Sequence, residues 1–417
     1  MESDSCSLMA HSEKVADFLE LIPKKLPLFW NFIIFAGKYR VLIMIPRKLE
    51  SIVTEALNKR KAIIIMGPRQ VGKSTLLKTL FGNESGILWI NGDEPDVRSI
   101  FDHATSTSLK SHIGDRRCVV IDEAQRISDI GINLKLIIDN MPGVQLVVTG
   151  SSSFDLSNKI NEPLTGRKFE YWMFPLSFGE MVSHTSLLEE KRLLKHRMVY
   201  GYYPDVVMNS GNEREILNNL ASSYLFKDIL AFDKIQKSEQ LVRLLQCLAL
   251  QIGSQVSYNE LGQQVGLDSK TVEKYVTLLE KCFIIFRLTS FSRNLRNELK
   301  KSRKIYFYDN GIRNAILGNY SLIENRMPAE IGALWENFAI AERMKRNAYE
   351  KAYCNSWFWR SKEQQEIDYI EEGDGKLSAV EFKWNPTKKV SVPTSFAREY
   401  DSSFSVINPE NIESFLL

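Results

Sequence analysis

One segment constrains this chain more than any other. Gly67-Pro-Arg-Gln-Val-Gly72-Lys73-Ser74-Thr75 follows the short apolar run Ala62-Ile-Ile-Ile-Met66 and opens a helical pattern that continues to Phe81. A loop of the form GxxxxGK[ST] between a strand and a helix bends until its backbone N–H groups converge on an anion, and the glycines permit that bend. The helix behind it points its positive end at the same place. In such a loop Gly67, Pro68, Arg69, Gln70, Val71 and Gly72 frame the phosphates, Lys73 reaches the β- and γ-phosphates, Ser74 ligates Mg²⁺ and Thr75 completes the motif.

The surroundings fit a parallel sheet. Residues 87–91, 118–122 and 144–149 are further short apolar runs separated by helical patterns, and continuous apolar strands belong to a sheet covered on both faces. The run at 118–122 ends in Asp122-Glu123, where Asp122 would hold Mg²⁺ through water and Glu123 would polarise the attacking water. At the end of the next strand, in Thr149-Gly-Ser-Ser, Ser151 is the first choice for sensing the γ-phosphate, with Thr149 close behind. Arg167 either supplies positive charge to the transferring phosphoryl of a neighbouring subunit or makes a structural salt bridge. The cofactors these residues imply are ATP and Mg²⁺.

With 417 residues the chain has room for two or three domains. A net charge of only +3 gives no global basic field, so any nucleic-acid contact must come from local patches. The five cysteines are scattered and include no CxxC pair, and the five histidines do not cluster. That pattern fits a reducing cytoplasm and argues against disulfides or a cysteine- or histidine-based metal site. The apolar stretch at 26–37 is about a dozen residues long, short of the roughly 20 a spanning helix needs, so a membrane-tethered protein is the least favoured class. Residues 1–43 read as an extension ahead of a natural start at Met44.

Beyond a helical stretch at 187–232, a compact unit is expected at 238–308. It has helices at 241–252, 258–265 and 269–282, a tight turn at 266–269, and strand-like runs at 283–288 and 304–308. That order is the pattern of a winged helix-turn-helix. Ser269, Lys270, Thr271, Lys274 and Tyr275 are residue types that contact phosphates or base edges, and the run from Arg293 through Arg296 to Lys304 has six cations against one acid. Glu273 and Glu280 on the same helix weigh the other way, because winged helices also serve as protein-packing modules.

The last part is expected to hold a helix at 330–346 and strands at 356–360, 365–370 and 377–383. Glu381 and Lys383 share a strand face and Asp368 sits on the preceding strand. This D…ExK arrangement resembles the PD-(D/E)xK nuclease core. Asp368 and Glu381 would hold a second Mg²⁺, Lys383 would position water, and Glu336 would be the additional helix acid. Trp357, Trp359 and Trp384 are expected in packing roles.

Taken together, Gly67–Thr75, Glu123-Ala-Gln125, Thr149-Gly-Ser-Ser, Gly166-Arg167, Phe174-Pro-Leu-Ser-Phe-Gly-Glu180, Gly201-Tyr-Tyr-Pro204, Tyr306-Phe-Tyr-Asp309-Asn-Gly311 and Gly332-Ala-Leu-Trp-Glu336-Asn-Phe resemble the AAA+ family called AAA domain 14 with its usual C-terminal domain of unknown function. Tyr202 departs from the pattern, which more often has a second glycine there. The resemblance runs from about residue 44 to the end. Together with the element patterns above it implies an α/β fold with an AAA+ ATP-binding domain and helical part at 44–235, a winged helix-turn-helix at 236–310 and a nuclease-like α/β domain at 311–417. It also implies an ATPase that assembles as rings or clusters. The expected function is ATP-driven action on DNA in repair, recombination or mobile-element defence. The competing expectation is an ATP-dependent switch or scaffold that binds protein and cuts nothing.

Overall fold

The computed structural model describes residues 44–82, 84–150, 160–225, 238–293, 302–361 and 363–417. Arg47–Leu417 form one compact unit, and the short described stretch before it belongs to another. The expectations placed on residues 1–43, Ser151 and Arg296 lie outside the described residues.

Helix α1 (Lys48–Ala56) leads to β1 (Ala62–Met66), every residue of which is fully buried. The chain continues through α2 (Lys73–Phe81), β2 (Ile87–Asn91), α3 (Pro95–Phe101), α4 (Ser106–Ile113), β3 (Cys118–Asp122), α5 (Ile130–Asn140), β4 (Gln145–Gly150) and β5 (Lys168–Trp172). The five strands form a parallel sheet in the order β2-β3-β4-β1-β5. Ile64, Met66, Val119, Ile121, Leu146 and Val148 pack with Leu109, Leu134 and Ile137 of the covering helices. The phosphate loop thus leaves the C-terminal end of an interior strand whose position is fixed by burial on both faces. Strand β5 was not expected. Its Lys-Phe-Glu-Tyr-Trp sequence alternates, as suits a half-exposed edge, instead of forming an apolar run.

Short helices follow: α6 (Phe178–His184), α7 (Leu187–Arg192), α8 (Leu194–Tyr200), α9 (Pro204–Met208) and α10 (Glu213–Asn219). Then come α11 (Ser238–Leu250), β6 (Gln255–Val256), α12 (Tyr258–Val265), α13 (Ser269–Lys281), β7 (Ile285–Thr289) and β8 (Arg303–Phe307). Three helices are thus combined with an antiparallel sheet ordered β6-β8-β7. Gly266, at φ +74°, ends α12, and Asp268 caps α13 by accepting from the Lys270 and Thr271 amides at 3.0 Å.

The remainder is α14 (Asn310–Leu317), α15 (Pro328–Tyr349), β9 (Asn355–Arg360), β10 (Glu366–Gly373), β11 (Lys376–Phe382), α16 (Thr394–Glu399), β12 (Ser403–Ile407) and α17 (Glu413–Leu416). The sheet runs β12-β11-β10-β9. Strand β12, which lies parallel to β11, was not foreseen, since Ser403-Phe-Ser-Val-Ile is short and half polar.

A buried polar seam joins these parts. Along α15, Glu342 accepts from the Phe178 amide at 2.6 Å, Lys345 donates to the Leu176 carbonyl at 3.1 Å, and the Tyr349 hydroxyl accepts from the Phe174 amide at 3.2 Å. Alternate residues of an extended segment thereby meet one stripe of a helix. Asp309 accepts from the Tyr202 amide at 2.7 Å, and a Cβ on Gly201, at φ +72°, would lie 2.0 Å from Asp309 Oδ1. A Cβ on Gly311 would lie 2.1 Å from the Tyr200 carbonyl oxygen. The GYYP and YDNG motifs are two halves of one interlock. Tyr202 fills its position with a hydroxyl that donates to Glu190 at 2.9 Å and a ring facing Arg197 and Lys345.

Candidate functional site

The loop after β1 takes its shape from close backbone approach. Met173 N donates to the Met66 carbonyl at 2.7 Å, and a Cβ on Gly67 would lie 2.0 Å from the Met173 carbonyl oxygen. Gln70 at φ +61° and Gly72 at φ +97° turn the chain into α2. Lys73 is buried, its ammonium donating to the Gly67 and Pro68 carbonyls at 2.8 and 2.7 Å across the mouth of the loop. Ser74 and Thr75 face solvent at the helix N-terminus.

Strands β3 and β4 bring the acidic end of β3 to this place. Ser74 Oγ donates to Asp122 Oδ2 at 2.6 Å, and the Thr149 hydroxyl donates to the other oxygen of the same carboxylate. Glu123 follows in left-handed backbone at φ +52°, and the side-chain amide of Gln125 donates to its carboxylate. Gly92 packs against this turn, where a Cβ would lie 2.4 Å from the Glu123 carbonyl oxygen. The loop, Ser74, Asp122, Glu123 and Thr149 therefore converge. Arg167 does not join them. It precedes Lys168, which pairs with Ala62 at the opposite end of the sheet, and its guanidinium is 2.8 Å from Asp139 of α5.

One participant escaped the sequence reading. Arg47, just ahead of α1, sends its guanidinium to the loop at the Val71 carbonyl and to the Phe174 carbonyl at 2.7 Å, while Glu180 Oε1 accepts from its Nε at 3.0 Å. Glu180 also accepts from the Ser177 amide as part of the capping box of α6. Burial opposes the Arg47 charge, but Glu180 and Tyr349 outweigh it and raise its pKa further. A lone arginine before a helix carries no local signal. Only the gathering of its sequence-distant partners in space, invisible in one sequence, identifies it.

A second constellation lies between β8, α15, β10 and β11. Lys383 Nζ is 2.6 Å from Glu381 and 3.6 Å from Asp368, whose Oδ2 also accepts from the Phe382 amide at 2.9 Å. Glu336 accepts from Tyr306 at 2.6 Å and from Lys304 at 3.1 Å, and Lys304 also pairs with Glu366. Four carboxylates thus share two ammonium groups. Burial first, and then the Asp368 charge, push Glu336 and Glu381 each up to about 7. Burial disfavours the Lys304 charge, but Glu336, Asp368 and Glu366 outweigh it and hold its pKa above the ordinary value. Among the described residues no group of three or more His, Cys, Asp or Glu is arranged to hold a metal ion.

The expected basic wing is altered by the fold. Lys304 is only 2% exposed and belongs to the carboxylate cluster. Arg303 pairs with Glu273, and Arg293 with Glu372 at 2.9 Å. On α13, Lys270 and Lys274 are exposed, whereas Tyr275 is buried and the Thr271 hydroxyl is held by Asp268 at 2.6 Å. Tyr275 is therefore a packing residue, because helical periodicity turns it inward with Val272 and Leu279. No helix among the described residues is long and apolar enough to cross a membrane.

A parallel sheet with a phosphate loop after an interior strand and an Asp-Glu pair at the end of the strand two positions along defines a P-loop fold. Residues 59–182 match the family described as an AAA domain, and residues 191–322 and 331–412 match two families, each described as a domain of unknown function. An uncharacterized protein of Mycobacterium tuberculosis is 25% identical over 379 residues, covering 88% of this chain and 81% of its own. One from Methanocaldococcus jannaschii is 22% identical over 352 residues, covering 79% and 76%. Among solved structures, the Walker-type ATPase of Pyrococcus abyssi superposes with a TM-score of 0.45 at 17% identity, covering 68% of this chain and 99% of that one.

Proposed function

We propose that this chain binds ATP with Mg²⁺, hydrolyses it, and uses the cycle to act on DNA in the cytoplasm. The observation that carries the ATP part is the meeting of Ser74, Asp122 and Thr149 beside Glu123, in front of the solvent-facing start of α2. Hydroxyl and carboxylate oxygens suit a hard divalent cation, so Ser74 and Asp122 are the residues that would hold Mg²⁺. When bound, the ion would neutralise charge on the phosphates. Gly67, Pro68, Arg69, Gln70, Val71, Gly72 and Thr75 cradle the anion through loop and helix, and Lys73 exchanges its loop carbonyls for phosphate oxygens. Glu123 orients the attacking water and takes its proton. Thr149 and Ser151 read the γ-phosphate. Self-association would give Arg167 its only route to a phosphoryl group, that of a neighbouring subunit.

For the DNA part, residues 238–307 have the element order of a winged helix, with Lys270, Thr271 and Lys274 at the start of α13 and Arg293 and Arg296 beyond β7. The helix and strands carrying Glu336, Asp368, Glu381 and Lys383 have the order of a nuclease-like domain, in which Asp368 and Glu381 are the metal-holding pair. A protein-binding scaffold is the second reading. It is favoured by the pairing of Arg303 with Glu273 and of Arg287 with Glu280, which removes cations from the same face. ATP turnover measured with and without duplex DNA across a salt series separates the two. DNA stimulation that falls steeply with salt supports the first, and no binding at low salt sinks it. Mg²⁺-dependent nicking that disappears in the double variant Asp368→Ala, Glu381→Ala would assign cutting to the C-terminal cluster.

A further inference from the structure

We propose that Arg47 is a positioning residue of the phosphate loop and that, through Tyr349, it transmits the state of that loop to helix α15. The inference rests on the ATP-binding reading above.

The guanidinium brings together contacts to four separate parts of the chain. It donates to the Val71 carbonyl inside the loop, and Nη1 lies 3.7 Å from where a Cβ on Gly72 would be. It donates to Phe174 on the segment leaving β5, forms a buried ion pair with Glu180 at 3.0 Å, and lies 3.4 Å from the Tyr349 hydroxyl at the end of α15. Both partners of the ion pair are nearly inaccessible, at 8% and 1% side-chain exposure. Arginine suits this role because its planar fork serves several fixed acceptors at once, which a lysine ammonium on a flexible stem does not. A loop whose amides must converge on phosphate gains from having its Val71 carbonyl drawn to the outside, since that carbonyl is then kept away from the anion.

The far end of the contact gives it reach. Tyr349 accepts from the Phe174 amide at 3.2 Å and belongs to the same helix stripe as Glu342 and Lys345, which bind Phe178 and Leu176. The helix spans Pro328–Tyr349 and carries Glu336 some 20 Å from Tyr349, a distance an α-helix crosses as a rigid rod. Loop and helix therefore share one buried cation, and any shift of Val71 on nucleotide binding changes what Arg47 offers to Tyr349. Such coupling is reciprocal.

The test uses the full chain and three variants, with ADP and a fluorescent ATP analogue as probes. Arg47→Met should weaken nucleotide binding at least tenfold, and Arg47→Lys should recover part of that loss. Wild type should show a nucleotide-dependent change in amide hydrogen exchange at residues 342–350, and Tyr349→Phe should remove that change while leaving affinity within twofold; no such change in wild type overturns the coupling. If Arg47→Met fails to fold, Arg47→Lys and Tyr349→Phe still carry the comparison, since neither leaves Glu180 without a charged partner. Wild-type affinity in the Arg47 variants, or unchanged exchange in Tyr349→Phe, overturns the role assigned here while leaving ATP binding intact. Failure of the wild-type chain to bind either probe overturns both.

Discussion

The two acidic constellations of this chain handle charge in opposite ways. At the phosphate loop, Asp122 is held by the neutral hydroxyls of Ser74 and Thr149, and the solvent-facing start of α2 stands before it. At the C-terminal cluster, Lys304 and Lys383 are built in among Glu336, Glu366, Asp368 and Glu381. The first arrangement holds its carboxylate with hydrogen bonds from neutral groups and leaves room for a ligand's charge. The second supplies its own cations, with Arg360 also beside Glu366, yet burial first and then the Asp368 charge raise Glu336 and Glu381 to about 7. A hydroxyl-held carboxylate is poised for a cation from solution. A lysine-held one admits a cation only by competing with ammonium groups already in place.

The largest effect expected from this contrast is at Glu123. Glu123→Gln removes the proton acceptor while leaving the loop and Asp122 untouched. Turnover should fall by roughly 10²–10⁴-fold with nucleotide affinity within about twofold. Steady-state hydrolysis and equilibrium binding measure the two separately. An equal loss in both would mean that Glu123 organises the site and does not act in the reaction.

The sequence was a good guide where burial is uniform and a poor one where charge is buried. The strands Ala62–Met66 and Cys118–Asp122 announce themselves as continuous apolar runs buried on both faces, and the edge strand Ile87–Asn91 does so because its run stays apolar even where Trp89 meets solvent. The edge strands Lys168–Trp172 and Ser403–Ile407 do not, because one side of each faces water and polar residues interrupt the run. The phosphate loop and Asp122 were legible because their chemistry requires particular residue types at particular spacing. Lys304 and the pair Glu342 and Lys345 were not. A lysine beside an acid reads as a solvated face, and only the fold reveals that these are nearly inaccessible. Arg47 was hidden for a related reason, its partners lying 24 to 302 residues away.

The next largest effect is expected at Gly201, where shape alone is at stake. Both its φ of +72° and the 2.0 Å approach of Asp309 Oδ1 exclude a Cβ. Gly201→Ala should destabilise the fold by roughly 2–4 kcal/mol, read as a lower midpoint of chemical denaturation. If the variant were as stable as wild type, the interlock with Asp309 would not be what the motif is for.

A smaller, pH-dependent effect sharpens the account of the C-terminal cluster. With a folded pKa of about 7 against an ordinary 4.5, Glu381 binds its proton more tightly in the folded chain. Its favourable contribution is complete below about pH 4.5 and is lost as pH rises through 7. Glu381→Gln mimics the protonated form, so its stability relative to wild type should improve by on the order of 2 kcal/mol between pH 5 and pH 8. Denaturation midpoints of the two proteins at those pH values give the difference. A constant difference would show that the two lysines already neutralise the cluster.

The smallest effect on the single chain is expected at Arg167, and for that reason it is the most informative about assembly. Its pair with Asp139 is well exposed, at 41% and 38%, and such pairs contribute within about 0.5 kcal/mol. Arg167→Ala should therefore leave stability unchanged within that range. It also lies at the end of the sheet opposite the phosphate loop, so it has no reach to its own chain's site. If it completes a neighbour's site, wild-type turnover per chain should rise with protein concentration, and Arg167→Ala should abolish that rise while matching wild type when dilute. Equal turnover of the two proteins at every concentration would return Arg167 to the role its present geometry displays, a surface ion pair, and would leave Lys73, Asp122 and Glu123 to carry hydrolysis within one chain.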